Sequence, residues 1–244
     1  MMRLTVDFDG HRLSDLFTVS QVVRPLMGPP TPETVQVPGM DGRMWRGTRR
    51  DQSEVEMTLV AFGEDYGRVM DSMRKLAGWL AVDEPKRLAL GDEGGLWRLA
   101  VPSGDFDVEM ISPTSAKVDL TFMVPEGCMH GPRTSNTVYF SSGGVGRINI
   151  DGTLPTPVVM KGTGNGGSAV TITDETTGEH FTVRMPTGVM QGLVVDAETR
   201  TCTVGGSASM ITLDSSWPIF APGLHEIRAT NMYFATFEYE SRWA

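Results

Sequence analysis

From Glu54 to Leu59 the chain alternates without a slip. Val55, Met57 and Leu59 fall on one side, and Glu54, Glu56 and Thr58 on the other. This is the period of a half-buried strand, and a helix cannot place those three apolar residues on one face. The same alternation returns in Leu4, Val6 and Phe8, in Phe106, Val108 and Met110, and in Val118, Leu120, Phe122 and Val124. The 28 glycines and 15 prolines are spread along the chain, as many short strands with many turns require. The pattern therefore predicts a mostly β protein. At 244 residues the chain can form one large β domain or two ordinary ones. An apolar share of 40% and a charged share of 21% describe a globular chain and not a disordered one.

Residues 34–60 have no catalytic logic but considerable assembly logic. Val35 and Val37 alternate with polar neighbours, Pro38-Gly39 breaks the run, and Asp41-Gly42 is a hairpin-type turn pair. Arg43, Trp45, Arg46, Arg49 and Arg50 follow on a segment with almost no core-forming residues. Two readings fit such an arm: a solvated loop, or a reach onto a neighbouring subunit. Just before it, PLMGPPTPE at 25–33 reads as a rigid connector.

One helix is expected, over 66–80. Val69, Met73, Leu76 and Leu80 form a single apolar stripe that Met70 and Ala77 widen. Glu64 and Asp65 suit its positive end, and Pro85 forbids continuation. Further strands are expected at 88–90, 96–101, 106–111 and 116–124, which makes 1–128 an N-terminal β domain with one helix. Residues 129–146, rich in Gly, Ser, Pro and Asn, read as a linker. From 147 to 244 short strands recur every 8–12 residues with no helical pattern, the signature of an antiparallel β-sandwich.

Net charge is −9, and both halves are acidic. Nucleic-acid binders need a basic face, so the charge excludes that class. It does suit a lumen that DNA slides past without sticking. Cys128 and Cys202 make no disulfide framework and read as buried thiols. No apolar run reaches the length of a membrane span, and MMRLTVDFDG lacks a signal-peptide core, so the expected place of synthesis is a cytoplasm. The 16 methionines suggest no function.

The short motifs do not assemble into chemistry. Gly162-Thr-Gly-Asn-Gly-Gly167 matches a dinucleotide fingerprint, but a strand-like SAVTIT follows where a helix is needed. Ser72-Met73-Arg74-Lys75 matches S-x-x-K without its supporting elements. His11, His130, His180 and His225 read as isolated, without an i, i+4 partner or a cysteine at zinc-ligand spacing. Asp7 and Asp9 lack the later ligands of a calcium loop. The expectation is no enzyme, no cofactor and no metal. Trp217, Tyr233 and Tyr239 are the candidate platforms for stacking a sugar on the sandwich.

The order of these parts resembles the distal tail protein family of siphophages and prophages. The motifs that carry the likeness are the VPG-x-DG turn at 37–42, the helix ending Trp79-Leu80 and the strand ending TFMVPEGCMHG at 121–131. The second half adds a sandwich opening INIDGTLPTPVVMKG at 148–162 and ending APGLHEIRATN and FATFEYESRW at 221–231 and 234–243. The resemblance implies a β-barrel-like or split-sheet N-terminal domain and a galectin-like C-terminal sandwich. It implies a homo-hexameric ring at the tail tip, between the major tail tube protein and a tail-associated lysin, fibre or baseplate hub protein, around a channel for DNA. It also implies that the helix and the arm meet the neighbouring subunit, and that the outer domain of some members holds host cell-wall saccharide. Arg43, Trp45, Arg46, Arg49 and Arg50 are the expected interface residues. The alternatives are a lectin-like adhesion module and, far behind, a hydrolase on a β scaffold.

Overall fold

The computed structural model describes residues 4–140 and 144–244. Met1–Arg3 of the N-terminal segment and residues 141–143 of the expected linker lie outside the described residues. The chain divides into two compact units, Met1–His130 with Ala244 and Gly131–Trp243.

The first unit runs β1 (Val6–Phe8), β2 (His11–Arg12), a 3-10 turn (Leu13–Asp15), β3 (Phe17–Val23), β4 (Pro30–Val35), β5 (Met44–Arg50) and β6 (Ser53–Phe62). The helix α1 (Tyr66–Leu80) follows, then β7 (Lys86–Leu90), β8 (Trp97–Ser103), β9 (Val108–Ser112), β10 (Ser115–Val124) and the start of β11 (Met129–Tyr139). β6 and β10 pair antiparallel from Ser53↔Val124 to Phe62↔Ser115. β3 takes the other edge of β6. The free edge of β10 is shared: β9 pairs along Ser115–Val118 and β8 along Thr121–Met123. The sheet thus splits at β10 instead of closing into a barrel. β8 continues through β7 to β1 and β2.

The alternating residues make the core. Val55, Met57, Leu59 and Ala61 of β6 are buried, as are Val118, Leu120, Phe122 and Val124 of β10. Phe8 meets Phe122 with ring centroids 4.9 Å apart. Each fully buried side chain of this size contributes roughly 1.5–3 kcal/mol. α1 covers this face with Val69, Met73 and Leu76. Its cap is Asp65, whose side chain accepts from the Arg68 amide at 2.8 Å, satisfying one of the first-turn donors. Leu80 is only partly buried and Ala77 is exposed. The apolar stripe is therefore covered over its N-terminal part and opens toward its end.

The expected connector at 25–33 is a strand from Pro30 onward. Among the described residues β4 pairs only with β5, from Pro30↔Arg50 to Val35↔Met44. Proline donates nothing to a ladder, so Pro30 and Pro32 are tolerated in a strand with one open edge. The arm, whose sequence fits both a solvated loop and a reach onto a neighbour, supplies β5 of this hairpin.

The second unit holds the rest of β11, then β12 (Val145–Ile150), β13 (Thr156–Pro157), β14 (Val159–Asn165), β15 (Ala169–Asp174), β16 (His180–Arg184) and β17 (Met190–Asp196). β18 (Thr201–Val204), β19 (Ser207–Ser209), β20 (Ile219–Phe220), β21 (Gly223–Thr230) and β22 (Met232–Trp243) complete it. One sheet has the order β19-β18-β17-β14-β22-β11, the other β12-β21-β15-β16, and β13 pairs β20. Met160, Leu193, Val195 and Phe237 of the first sheet and Ile148, Ile172 and Ile227 of the second share one core. This is the two-layer packing of a β-sandwich. Within the expected linker, residues 129–139 are strand and not connector. Gly131 lies in that strand, and a Cβ there would stand 2.2 Å from Ser241 Oγ. Its glycine marks a close approach, not a flexible joint.

Gly127 offers a direct check of the first unit. Its φ is +62°, and a Cβ would stand 2.4 Å from the Asp51 carbonyl oxygen. Gly127→Ala is expected to cost about 2–4 kcal/mol through positive-φ strain and overpacking, read as a lowered urea midpoint at unchanged slope.

Candidate functional site

The β4–β5 hairpin is the first candidate. No residue of β4 or β5 is buried, and Trp45 is 66% exposed. Opposite Glu33 and Thr34 the ladder pairs Gly47 and Trp45, which leaves Arg46 as the extra residue of a bulge. A bulge re-aims the strand and increases its twist. Arg49 lies 3.1 Å from Asp51 Oδ1, while Arg43, Arg46 and Arg50 make no ion pair among the described residues. Asp51, which also accepts from Thr31, is held below the usual carboxylate range first by that hydroxyl and then by Arg49. The base of the hairpin is fixed by the Asp51 amide bonding the Pro29 carbonyl at 3.0 Å. A two-stranded hairpin without a core of its own is marginal in water.

The second candidate is an apolar groove of about 290 Å³ where α1 opens away from the sheet. Ala77, Leu80, Phe106 and Val108 line it, and Met73 and Leu120 are at its floor. The exposed acidic groups Asp105 and Asp107 flank Phe106 in the chain.

The third is a cluster that sequence reasoning missed. His130, expected to be isolated, has its Nε2 2.7 Å from Glu126 Oε2 and 4.0 Å from Cys128 Sγ. Cys128 Sγ is 3.8 Å from Glu126 Oε2. Cys128 and His130 are buried and Glu126 is exposed. His130 stacks on Trp97 at 4.7 Å and pairs with it across the β8–β11 ladder. Burial works against charging His130, but the hydrogen bonds to Cys128 and Glu126 outweigh it and push the ring up to about 9. The signal was present as Glu126-x-Cys128-x-His130, a mixed carboxylate, thiol and imidazole set that a search for His–His pairs or cysteines at zinc-finger spacing passes over.

In the second unit His225 and Asp174 are buried and 2.7 Å apart. Asp174 also accepts from the Thr176 amide and the Thr177 hydroxyl, and His225 Nε2 faces the Ala221 carbonyl at 2.7 Å. These bonds hold the 174–178 turn against β21, a structural task. Of the expected sugar platforms, Tyr233 is 65% exposed and Trp217 is packed partly into the core. Tyr239 is only 5% exposed, and its hydroxyl donates to the Asn149 carbonyl at 3.0 Å. Tyr239 is therefore a core residue and offers no stacking face. Tyr139 and Phe234, both exposed, lie 6.1 Å apart and form an aromatic patch that sequence reasoning did not anticipate.

Comparison with known proteins agrees with this architecture. Residues 11–124 match the phage tail protein RIFT-related domain, and residues 151–243 match the siphovirus-type tail component C-terminal domain. The chain belongs to the distal tail protein family of siphophages, a family of tail components. Among solved structures it is similar to the Dit protein of phage SPP1, described as a paradigm of the hub adsorption apparatus in phages infecting Gram-positive bacteria. That match has 16% identity, a TM-score of 0.80 and 99% of each chain covered. It is also similar to a chain of the phage P2 baseplate in its activated conformation with calcium, at 12% identity, TM-score 0.52 and 98% of each chain. A chain of the strontium form matches at 12% identity, TM-score 0.51 and 97% of each chain. Among curated protein sequences none matches this chain. No helix among the described residues is long and apolar enough to cross a membrane.

The placement of the two tyrosines predicts a contrast. Tyr239→Phe should cost about 1–2 kcal/mol through its lost buried hydrogen bond, and Tyr233→Ala under about 0.5 kcal/mol as a surface change. Chemical denaturation of the two variants measures both.

Proposed function

We propose that this chain is the ring subunit of a siphophage tail tip. Six copies close head-to-tail into a hub that joins the tail tube to a tail-associated lysin, fibre or baseplate protein and lets DNA pass. The chain is made in the bacterial host cytoplasm and ends in the virion tail. The observation that carries this reading is the β4–β5 hairpin: it buries nothing of its own, carries Trp45 at 66% exposure, and holds three arginines without ion pairs among the described residues. Its complement is on the same chain, in the apolar groove beside α1 with Asp105 and Asp107 at hand. Two different patches that fit each other make a heterologous contact, which yields a ring when the rotation closes. Arginine suits the acidic side through its planar fork, and Trp45 is the aromatic anchor. A net charge of −9 disfavours adhesion of passing DNA.

A second reading concerns the outer domain. Tyr139, Tyr233 and Phe234 expose aromatic faces of the kind that stack on sugar rings, which favours contact with host cell-wall saccharide.

Light scattering on the purified chain, with negative-stain images, tests the hub reading. Six copies of 26.6 kDa give a ring of about 160 kDa. Trp45→Ala combined with Arg46→Ala should lower that mass while leaving the melting temperature within a few degrees of wild type. Unchanged mass in the double variant would remove the arm from the interface, and a wild-type monomer even on purified tail tubes would end the ring reading. For the saccharide, cell-wall pull-down should weaken at least several-fold in Tyr139→Ala with Tyr233→Ala. Equal capture by variant and wild type would count against it.

A further inference from the structure

We propose that Glu126, Cys128 and His130 form a binding site for a single zinc-class transition-metal ion. Thiolate, imidazole and carboxylate are the three donor types that zinc takes from proteins. Here they come from alternate residues of one five-residue segment, and their donor atoms lie within 4.8 Å of one another. A tetrahedral ion with bonds of about 2.3 Å to sulfur and about 2.0 Å to nitrogen and oxygen holds its ligands roughly 3.3–3.6 Å apart. The sulfur–nitrogen and sulfur–oxygen separations of 4.0 and 3.8 Å are already close to that. Only the 2.7 Å nitrogen–oxygen contact must open, by about 0.6 Å for this geometry. Glu126, the exposed member, makes that movement, and Cys128 Sγ and His130 Nε2 close from 4.0 Å by about 0.5 Å.

The surroundings support a built site. His130 is held by the ladder to Trp97 and by the stacked indole, so its orientation is fixed before any ion arrives. Gly127, at φ +62°, turns the chain between Glu126 and Cys128. The nearby cation, Arg98, is neutralised by two hydrogen bonds to Glu93 at 2.8 and 2.9 Å. It shares with Cys128 the lining of a cavity of about 20 Å³, room for one water. Three protein donors leave a fourth position for water. The donor set also selects the ion. Calcium and magnesium require oxygen ligands, whereas a thiolate beside an imidazole favours zinc, cobalt or nickel. On binding, Cys128 gives up its thiol proton and His130 its second ring proton, both to solvent, with no change of oxidation state. The ion would staple the segment that leaves β10, a structural role that holds whether or not the chain forms rings.

The experiment uses the full chain, reduced and stripped with a chelator. It is titrated with cobalt while its absorption spectrum is recorded, then with zinc by calorimetry. The expected result is one ion per chain, a thiolate-to-cobalt charge-transfer band that zinc abolishes, and no uptake of calcium. Cys128→Ser should remove the band and weaken zinc at least tenfold, and His130→Gln should weaken it similarly. Cys202→Ser should change neither. Absence of the band together with absence of zinc uptake at submillimolar metal in the wild-type chain would overturn the proposal, independently of how any variant folds. So would a band that follows Cys202 instead of Cys128.

Discussion

The first unit hangs on the ladder between β6 and β10. Its pairing runs unbroken from Ser53↔Val124 to Phe62↔Ser115, and one face of both strands is buried along its length. A slip of β6 by one residue would turn Val55, Met57 and Leu59 away from Leu120 and Phe122 and out to water, so burial fixes the register. Everything else takes its place from this pair. β3 adds to one edge, β8 and β9 divide the other, and α1 closes the buried face. The two features of interest sit at one end of the ladder. β5 feeds β6 through Asp51, and β10 leaves through Glu126, with Gly127 packed against the Asp51 carbonyl.

How much of this was legible depended on whether burial left a period in the sequence. α1 was readable to the residue because its stripe, its Asp65 cap and Pro85 all agree. β6 and β10 were readable because one face is apolar and the other polar. β5 was not, since both faces of Met44–Arg50 meet solvent and no alternation is imposed. β11 was hidden for a different reason. Its Gly131, Pro132 and Ser135 look like a linker, yet the glycine is there to let Ser241 approach. Tertiary proximity, not local preference, decided that strand.

The same distinction governs the candidate sites. Arg43, Trp45, Arg46, Arg49 and Arg50 could be singled out because a run of large exposed groups without core partners is conspicuous in any sequence. Tyr239 could not be separated from Tyr233, because only the fold reveals which of two nearby tyrosines points inward to Asn149. The Glu126–Cys128–His130 cluster was overlooked because its donors are of three different types and its first two members lie in the turn between β10 and β11. Its convergence also needs the turn at Gly127 and the indole of Trp97 from another strand.

The hairpin's lack of a core carries a consequence for timing. A seven-residue strand at about 3.3 Å per residue reaches roughly 20 Å from its base, and ordering it costs conformational entropy that the isolated subunit recovers only in small part. In the proposed ring, that cost is met when the neighbour's surface is already in position. Closing the ring is then a nucleated event: the first contact between two free subunits is weak, and each later addition to a surface that organises several copies at once is easier. In that proposal, a growing tail that presents several copies lowers the concentration at which the subunit assembles.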